Sequence, residues 1–218
     1  NYRRLTGTNV FENNIFSANG NYGIRISGEA TYGDAENYIL RNNSVSDTAG
    51  IGYGIALTNS NNHTLVNNTI YDNAVTGIFV GATGTPASNC TIEDNDIYET
   101  GSGQTQDQGI YLSSSYGNVI KNNNIYDHTI VTGIRAEGEA ITDTIIYNNN
   151  LTGNKDGIYL KRSTNINVSG NTIYDNTRYG VLLAYNPNIE GLIEDNDIYD
   201  TAGGGSQDTG IYARGYST

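Results

Sequence analysis

Three carboxylates, Asp107, Glu137 and Asp156, fall in a stretch that also carries Tyr111, Arg135, Tyr159 and Lys161. Two carboxyl groups held about 5 to 9.5 Å apart, one protonated and one ionised, can cleave a glycosidic bond. Aromatic faces pack on the C–H faces of sugar rings, and Arg or Lys can hold hydroxyls or a uronate carboxylate. Asp208 shares the setting of Asp107, because Gln106-Asp107-Gln108-Gly109 returns as Gln207-Asp208-Thr209-Gly210, 101 residues on. By residue type, Asp107, Glu137 and Asp156 are the candidate catalytic groups. Tyr111, Arg135, Tyr159, Lys161 and Asp208 are the candidate substrate-binding groups. They meet only if the chain returns to the same place again and again.

A repeat supplies that return. The segment Thr91 to Thr100, TIEDNDIYET, has near copies that align Asn13, Asn43, Asn68, Asn95, Asn123, Asn149, Asn171 and Asn196, 22 to 30 residues apart. An aliphatic residue stands three positions before each Asn, from Val10 and Leu40 to Ile193, and another two positions after, from Ile15 and Val45 to Ile198. Gly followed by a β-branched residue forms a further register, as in Gly109-Ile110, Gly133-Ile134 and Gly157-Ile158. Alternation with period two in short runs, broken by Asn, Gly and Ser, predicts short strands. A period of this length is that of a solenoid.

One coil then holds about three strands, each paired in parallel with its copies above and below at about 4.8 Å. The ladder Asn is expected at a sharp turn, where αL is tolerated, with its amide bonded along the axis. In the Gly-Ile strand the residue after Ile faces outward. Stacking therefore sets Tyr111, Arg135, Glu137, Tyr159 and Lys161 side by side, with Asp107 and Asp156 at the entering edge. A second outward row reads Phe16, Ser46, Tyr71, Tyr98, Tyr126, Thr152, Tyr174 and Tyr199. Its rings are read as cross-strand support rather than as a glycan platform.

The chain resembles the right-handed parallel β-helix family, in particular the Asn-rich repeats shared by carbohydrate-binding and sugar-hydrolase domains. The carrying residues are Gly157-Ile158-Tyr159-Leu160 and Ser169-Gly170-Asn171-Thr172-Ile173-Tyr174-Asp175-Asn176. The resemblance implies an all-β, single-stranded parallel β-helix of about eight coils of 22 to 32 residues, forming one domain over residues 1–218. Several motifs of related enzymes are missing: the Asp-Pro-His of alginate epimerases, the Gly-His-Gly of polygalacturonases and the Trp-x-Asp-His of pectate lyases. No activity can be carried over residue by residue.

Composition narrows the classes. A net charge of −12 argues against nucleic acid and anionic membranes as partners. No apolar run has spanning length. His63 and His128 are too few for a His-based zinc site, and the single Cys90, aligned with His63 and Ile166, reads as a core filler. Asp47, Asp72, Glu99, Asp127, Asp175 and Asp200 form a near column of like charges, whose repulsion either bound calcium or turns that splay the carboxylates into water would relieve. No cofactor is required, calcium being an option and not a need. Neither end reads as a solenoid cap, so the chain is expected to be a segment of a longer extracellular or cell-surface protein.

The expected function is polysaccharide hydrolysis by paired carboxylates. A non-catalytic surface spacer and a carbohydrate-binding module are the rivals. A polyuronate lyase is disfavoured, because it needs cations to neutralise the uronate and the chain has 11 basic residues among 218.

Overall fold

The computed structural model describes residues 7–28, 35–81, 86–103, 105–184, 191–201 and 207–215, apart from the side chains of 139 and 140. Parts of the longer stretches between the repeat motifs fall outside these residues, at 29–34, 82–85, 185–190 and 202–206. Every coil contributes a strand before the ladder Asn, a strand after it and a Gly-Ile strand, as in Thr91–Glu93, Asp96–Tyr98 and Gln108–Ser113. Copies pair in parallel into three eight-stranded sheets. Ile110, Ile134 and Ile158 lie in one file, as do Tyr111, Arg135 and Tyr159. A two-stranded ribbon, Ala35–Glu36 against Ser60–Asn61, is added at the N-terminal end.

The core is a thin aliphatic column. Leu65, Ile92, Ile120, Ile146, Ile70, Ile97, Ile125, Ile78, Ile110 and Ile134 are among its fully buried members. Each contributes about 1.5 to 3 kcal/mol relative to exposure. From Gly23 to Gly180, the Gly of each Gly-Ile strand is fixed by crowding inside this column. A Cβ on Gly157 would lie 2.6 Å from both the Gly180 carbonyl oxygen and Ile173 Cγ2. Gly and Ile thus both turn inward, and the residue before the Gly turns out again with Tyr159 and its equivalents.

The Asn ladder is closed by hydrogen bonds in which each side chain satisfies its neighbour. The Asn95 N–H and Nδ2 both donate to Asn123 Oδ1, at 3.0 and 2.9 Å, and Asn95 Nδ2 also donates to the Leu65 and Glu93 carbonyls. The same pattern runs from Asn43 to Asn196. The αL residue is not the ladder Asn, as expected, but the one before it: Asn42, Asn67, Asp94, Asn122, Asn148 and Asp195 all have φ between 52° and 55°. The ladder Asn residues from Asn43 to Asn196 are not in the left-handed region, and their amides bond along the axis.

The first coil departs from the sequence reading by one residue. Asn14, not Asn13, donates to Asn43 Oδ1, while Asn13 takes the αL place at φ 57°. Phe11 pairs with Leu40 and Phe16 with Val45, so Val10 and Ile15 turn outward, and Ile15 is 80% exposed. A shift of one residue moves every side chain of a strand to the other face.

A second polar ladder, made of mixed residue types, crosses the interior. Asn73 Nδ2 donates to Gln106 Oε1 at 3.0 Å, Gln106 Nε2 meets His128 Nε2 at 2.9 Å, and His128 Nδ1 meets Asn154 Oδ1 at 2.9 Å. Asn154 continues to Asn176, and Asn176 to Gln207. The duplicated loops feed it. Glu99 accepts the Gln106 N–H and Asp200 the Gln207 N–H, while Asp72 and Asp175 clamp Thr100 and Thr201. The duplication at offset 101 is thus a staple that inserts a Gln side chain into the ladder.

Candidate functional site

The outward face of the Gly-Ile sheet carries a cavity of about 240 Å³ over its C-terminal half. Arg135, Lys155, Arg178 and Arg214 line it, with Asp156, Tyr159, Thr132, Leu182, Ile130 and Val131. The strands explain the grouping. Thr132, Asp156 and Tyr179 share one column, and Arg135, Tyr159, Leu182 and Tyr212 share another three residues on. Ahead of the strands runs an edge column, Asp107, Val131, Lys155, Arg178 and Asp208. Most of its steps are fixed by bonds such as Asp156 N–H to the Val131 carbonyl and Thr209 N–H to the Arg178 carbonyl.

Electrostatics hold the side chains in place. Arg178 clasps Asp156 through Nε to Oδ1 at 2.8 Å and Nη2 to Oδ2 at 2.5 Å. That bond raises the already high Arg178 pKa further. Arg135 lies between two tyrosines, its guanidinium carbon 5.2 Å from the Tyr111 ring centre and 5.5 Å from that of Tyr159. Its Nε donates to Glu137 Oε2 at 2.9 Å, and Lys161 pairs with the same carboxylate from the next strand. Burial pushes the Glu137 carboxyl up, but the bonds from Lys161 and Arg135 outweigh it and hold the group below its usual range. Burial alone raises the Asp107 carboxyl, and burial likewise raises the Tyr159 hydroxyl.

Of the residues singled out from sequence, the cavity gathers Arg135, Asp156 and Tyr159. Tyr111, Glu137 and Lys161 adjoin it through Arg135. Asp107 stands at the edge, level with Lys155 and two strands away, about 10 Å along the axis. Asp208 is exposed and sits beside Arg178 in the edge column. Lys155, Arg178, Arg214 and Thr132 were not expected in the site. Their signal was the position just ahead of the strand, where Lys155 and Arg178 recur at one-coil spacing. Thr132 is 2% exposed, lines the cavity, and its Oγ1 has no hydrogen-bond partner.

Other candidates resolve into structure. Cys90 is buried and its thiol is pushed up to about 11 by burial, which leaves it inert as a nucleophile. His63 accepts the Tyr38 N–H on Nδ1 at 3.2 Å. In the acidic column, Asp72, Glu99, Asp175 and Asp200 are engaged by backbone N–H groups. Among the described residues no group of three or more His, Cys, Asp or Glu side chains could hold a metal ion. No helix among them is long and apolar enough to cross a membrane.

Three parallel sheets wound into one solenoid, with a polar cleft on one outer wall, define a parallel β-helix protein. The sequence matches the family described as right handed beta helix region over residues 2–138 and 85–218, and the chain belongs to that family. No curated protein matches it. Among solved structures it is similar to the Azotobacter vinelandii mannuronan C-5 epimerase AlgE4 A-module, at 17% identity and TM-score 0.75, covering 95% of this chain and 56% of that one. It is also similar to the periplasmic alginate epimerase AlgG, in its D317A mutant, at 18% identity and TM-score 0.68, covering 91% and 57%. A third is an alginate lyase from Paenibacillus sp. str. FPU-7, at 16% identity and TM-score 0.60, covering 96% and 80%. The chain thus spans a little over half the length of the two epimerases. At these identities the likeness is one of fold.

Proposed function

We propose that this β-helix handles an acidic polysaccharide, laid along the outer wall of the Gly-Ile sheet with a uronate carboxylate in the Arg135–Lys155–Arg178–Arg214 cavity. The carrying observation is that four of 11 basic residues, in a chain of net charge −12, line one cavity. Charge-assisted bonds from guanidinium groups suit a planar carboxylate. The Thr132 hydroxyl offers a further bond, and Tyr159 offers a ring face. The names of the fold neighbours agree with this reading, since alginate is a polymer of uronic acids. The sequence-level objection, too few basic residues for a uronate, weakens once those residues are seen to cluster.

A hydrolytic reading has one observation of its own. Burial raises the Asp107 carboxyl, as a general acid requires, and Asp156 is the second carboxylate, paired with Arg178 at the cavity. Their strand positions, about 10 Å apart along the axis, stand at the outer limit of the roughly 6.5 to 9.5 Å spacing of inverting hydrolysis. Incubation with polygalacturonate, alginate and glucuronoxylan, scored for both reducing ends and unsaturated ends, separates the outcomes. Reducing ends alone, lost in Asp107→Asn, support hydrolysis. Unsaturated ends overturn it in favour of elimination. Binding without either leaves a recognition domain, and no binding removes the proposal.

A further inference from the structure

A second row of side chains, on the outer face of the sheet that follows the Asn ladder, has a break the cavity does not explain. Tyr71, Tyr98, Tyr126, Thr152, Tyr174 and Tyr199 stand in register, one per strand. Tyr71, Tyr98 and Tyr126 stack at 5.2 and 4.9 Å with their planes 5° and 7° apart, and Tyr174 stacks on Tyr199 at 5.2 Å and 7°. Parallel rings one strand spacing apart turn their faces along the solenoid axis and their edges to solvent. Along most of the row, therefore, no ring face is open to a ligand. At Thr152 the stack is interrupted, and the facing sides of Tyr126 and Tyr174 lie two strand spacings apart, about 10 Å.

That gap is one ring wide. A ring placed midway would have its centre about 5 Å from each tyrosine, inside the range of favourable ring packing. Its rim would meet polar groups. Asn150 lies on the same face two residues before Thr152, in a chain in which Asn150 Nδ2 donates to Asn124 Oδ1 and Asn124 Nδ2 to Asp96 Oδ1. The Asp127 carboxylate stands beside Gly153, where a Cβ would lie 2.4 Å from Asp127 Oδ1. The Asp127 carboxylate puts a negative charge at the gap and would repel an anionic sugar. Hydroxyls, in contrast, can donate to Asp127.

We propose that the break at Thr152 is a second subsite, which takes a neutral pyranose ring between Tyr126 and Tyr174. Its selectivity is the reverse of the cationic cavity on the Gly-Ile sheet, and it does not depend on that reading.

The test inserts the missing ring. Thr152→Tyr puts at this position the residue found there in five other coils, so the solenoid is expected to stay folded, as checked by circular dichroism. Saturation-transfer NMR and calorimetry with cellotetraose, xylotetraose and mannotetraose, beside glucuronate and phenol, are read on wild type, Thr152→Tyr, Tyr126→Ala and Arg214→Ala. The expected result is that at least one neutral oligosaccharide binds wild type and Arg214→Ala alike. It should bind about tenfold more weakly to Thr152→Tyr and Tyr126→Ala. Equal binding to wild type and Thr152→Tyr overturns the proposal. So does tighter binding of glucuronate or phenol than of every neutral sugar, or no neutral sugar bound at all.

Discussion

Arg178 grips Asp156 with two hydrogen bonds, and the two partners are unequally placed: the Asp156 side chain is 2% exposed and that of Arg178 39%. A carboxylate so deep is tolerable only with its charge answered. Arg178→Ala should therefore cost about 1 to 3 kcal/mol of stability, the penalty of leaving a buried charged acceptor without its donor and within reach of water. Adding Asp156→Asn to Arg178→Ala should restore most of the loss. Urea unfolding of the two single variants and the double variant reads the coupling directly.

The Asn ladder predicts a graded series. Removing Asn123 takes the shared acceptor from two buried donors of Asn95 and ends three bonds made by its own Nδ2. Asn123→Ala should destabilise by about 3 kcal/mol or more. Asn196→Ala, at the more exposed end, should cost less, because water can replace the lost acceptor. The shift in denaturation midpoint checks the order.

Crowding at the Gly column gives a second contrast. Gly157→Ala forces a methyl group to within 2.6 Å of a carbonyl oxygen and an Ile methyl, whereas at Gly210 the nearest of the atoms met is 3.6 Å away. Gly157→Ala is expected to unfold the central coils at much lower urea. Gly210→Ala should be near neutral. Equal effects would mean that conformational freedom, and not space, selects glycine here.

Acid should loosen the fold through its two histidines. Burial lowers both His63 and His128 from 6.5 to about 4. The unfolded chain takes up protons below pH 6.5 while the folded chain does so only near pH 4, so stability is complete above 6.5 and falls as pH drops toward 4. For the fully buried His128 the loss is on the order of 3 kcal/mol. Geometry agrees. The neutral ring donates from Nδ1 to Asn154 Oδ1 and accepts on Nε2 from Gln106 Nε2, an arrangement that a second proton breaks. Asp107, raised by burial, opposes the trend only near its own titration, and Glu137 adds to it only below its usual 4.5. Thermal melts between pH 7 and 4 should show a flatter profile for His128→Gln than for wild type.

The Ile, Gly and Asn registers were enough to name the architecture, since identical residues at one-coil spacing can be buried together only by stacking. The first coil shows where that logic stops. In Val10-Phe11-Glu12-Asn13-Asn14-Ile15-Phe16 both parities are apolar and the Asn is doubled, so two registers differing by one residue satisfy the same pattern. Packing chooses Phe11, Asn14 and Phe16. The second ladder has no signature in the sequence, because Asn73, Gln106, His128 and Asn154 differ in type while doing one job, passing a hydrogen bond to the next coil. In the site, Arg135 and Tyr159 were legible as outward strand residues, and Asp156 as a residue at the entering edge of the wall. Lys155 and Arg178 lie just ahead of strands, where no alternation fixes direction, and only the register of the folded coils brings them over the wall.

The claim that matters most is that the cavity recognises an acidic sugar. Calorimetric titration of trigalacturonate into wild type and a Lys155→Ala/Arg214→Ala variant, at two salt concentrations, tests it with little disturbance to the Asp156 pair. The account predicts measurable affinity that falls with salt and drops about tenfold or more in the variant, as expected for lost charge-assisted contacts. Equal affinity of the two proteins, or binding of neutral trisaccharides with no binding of trigalacturonate, would contradict it.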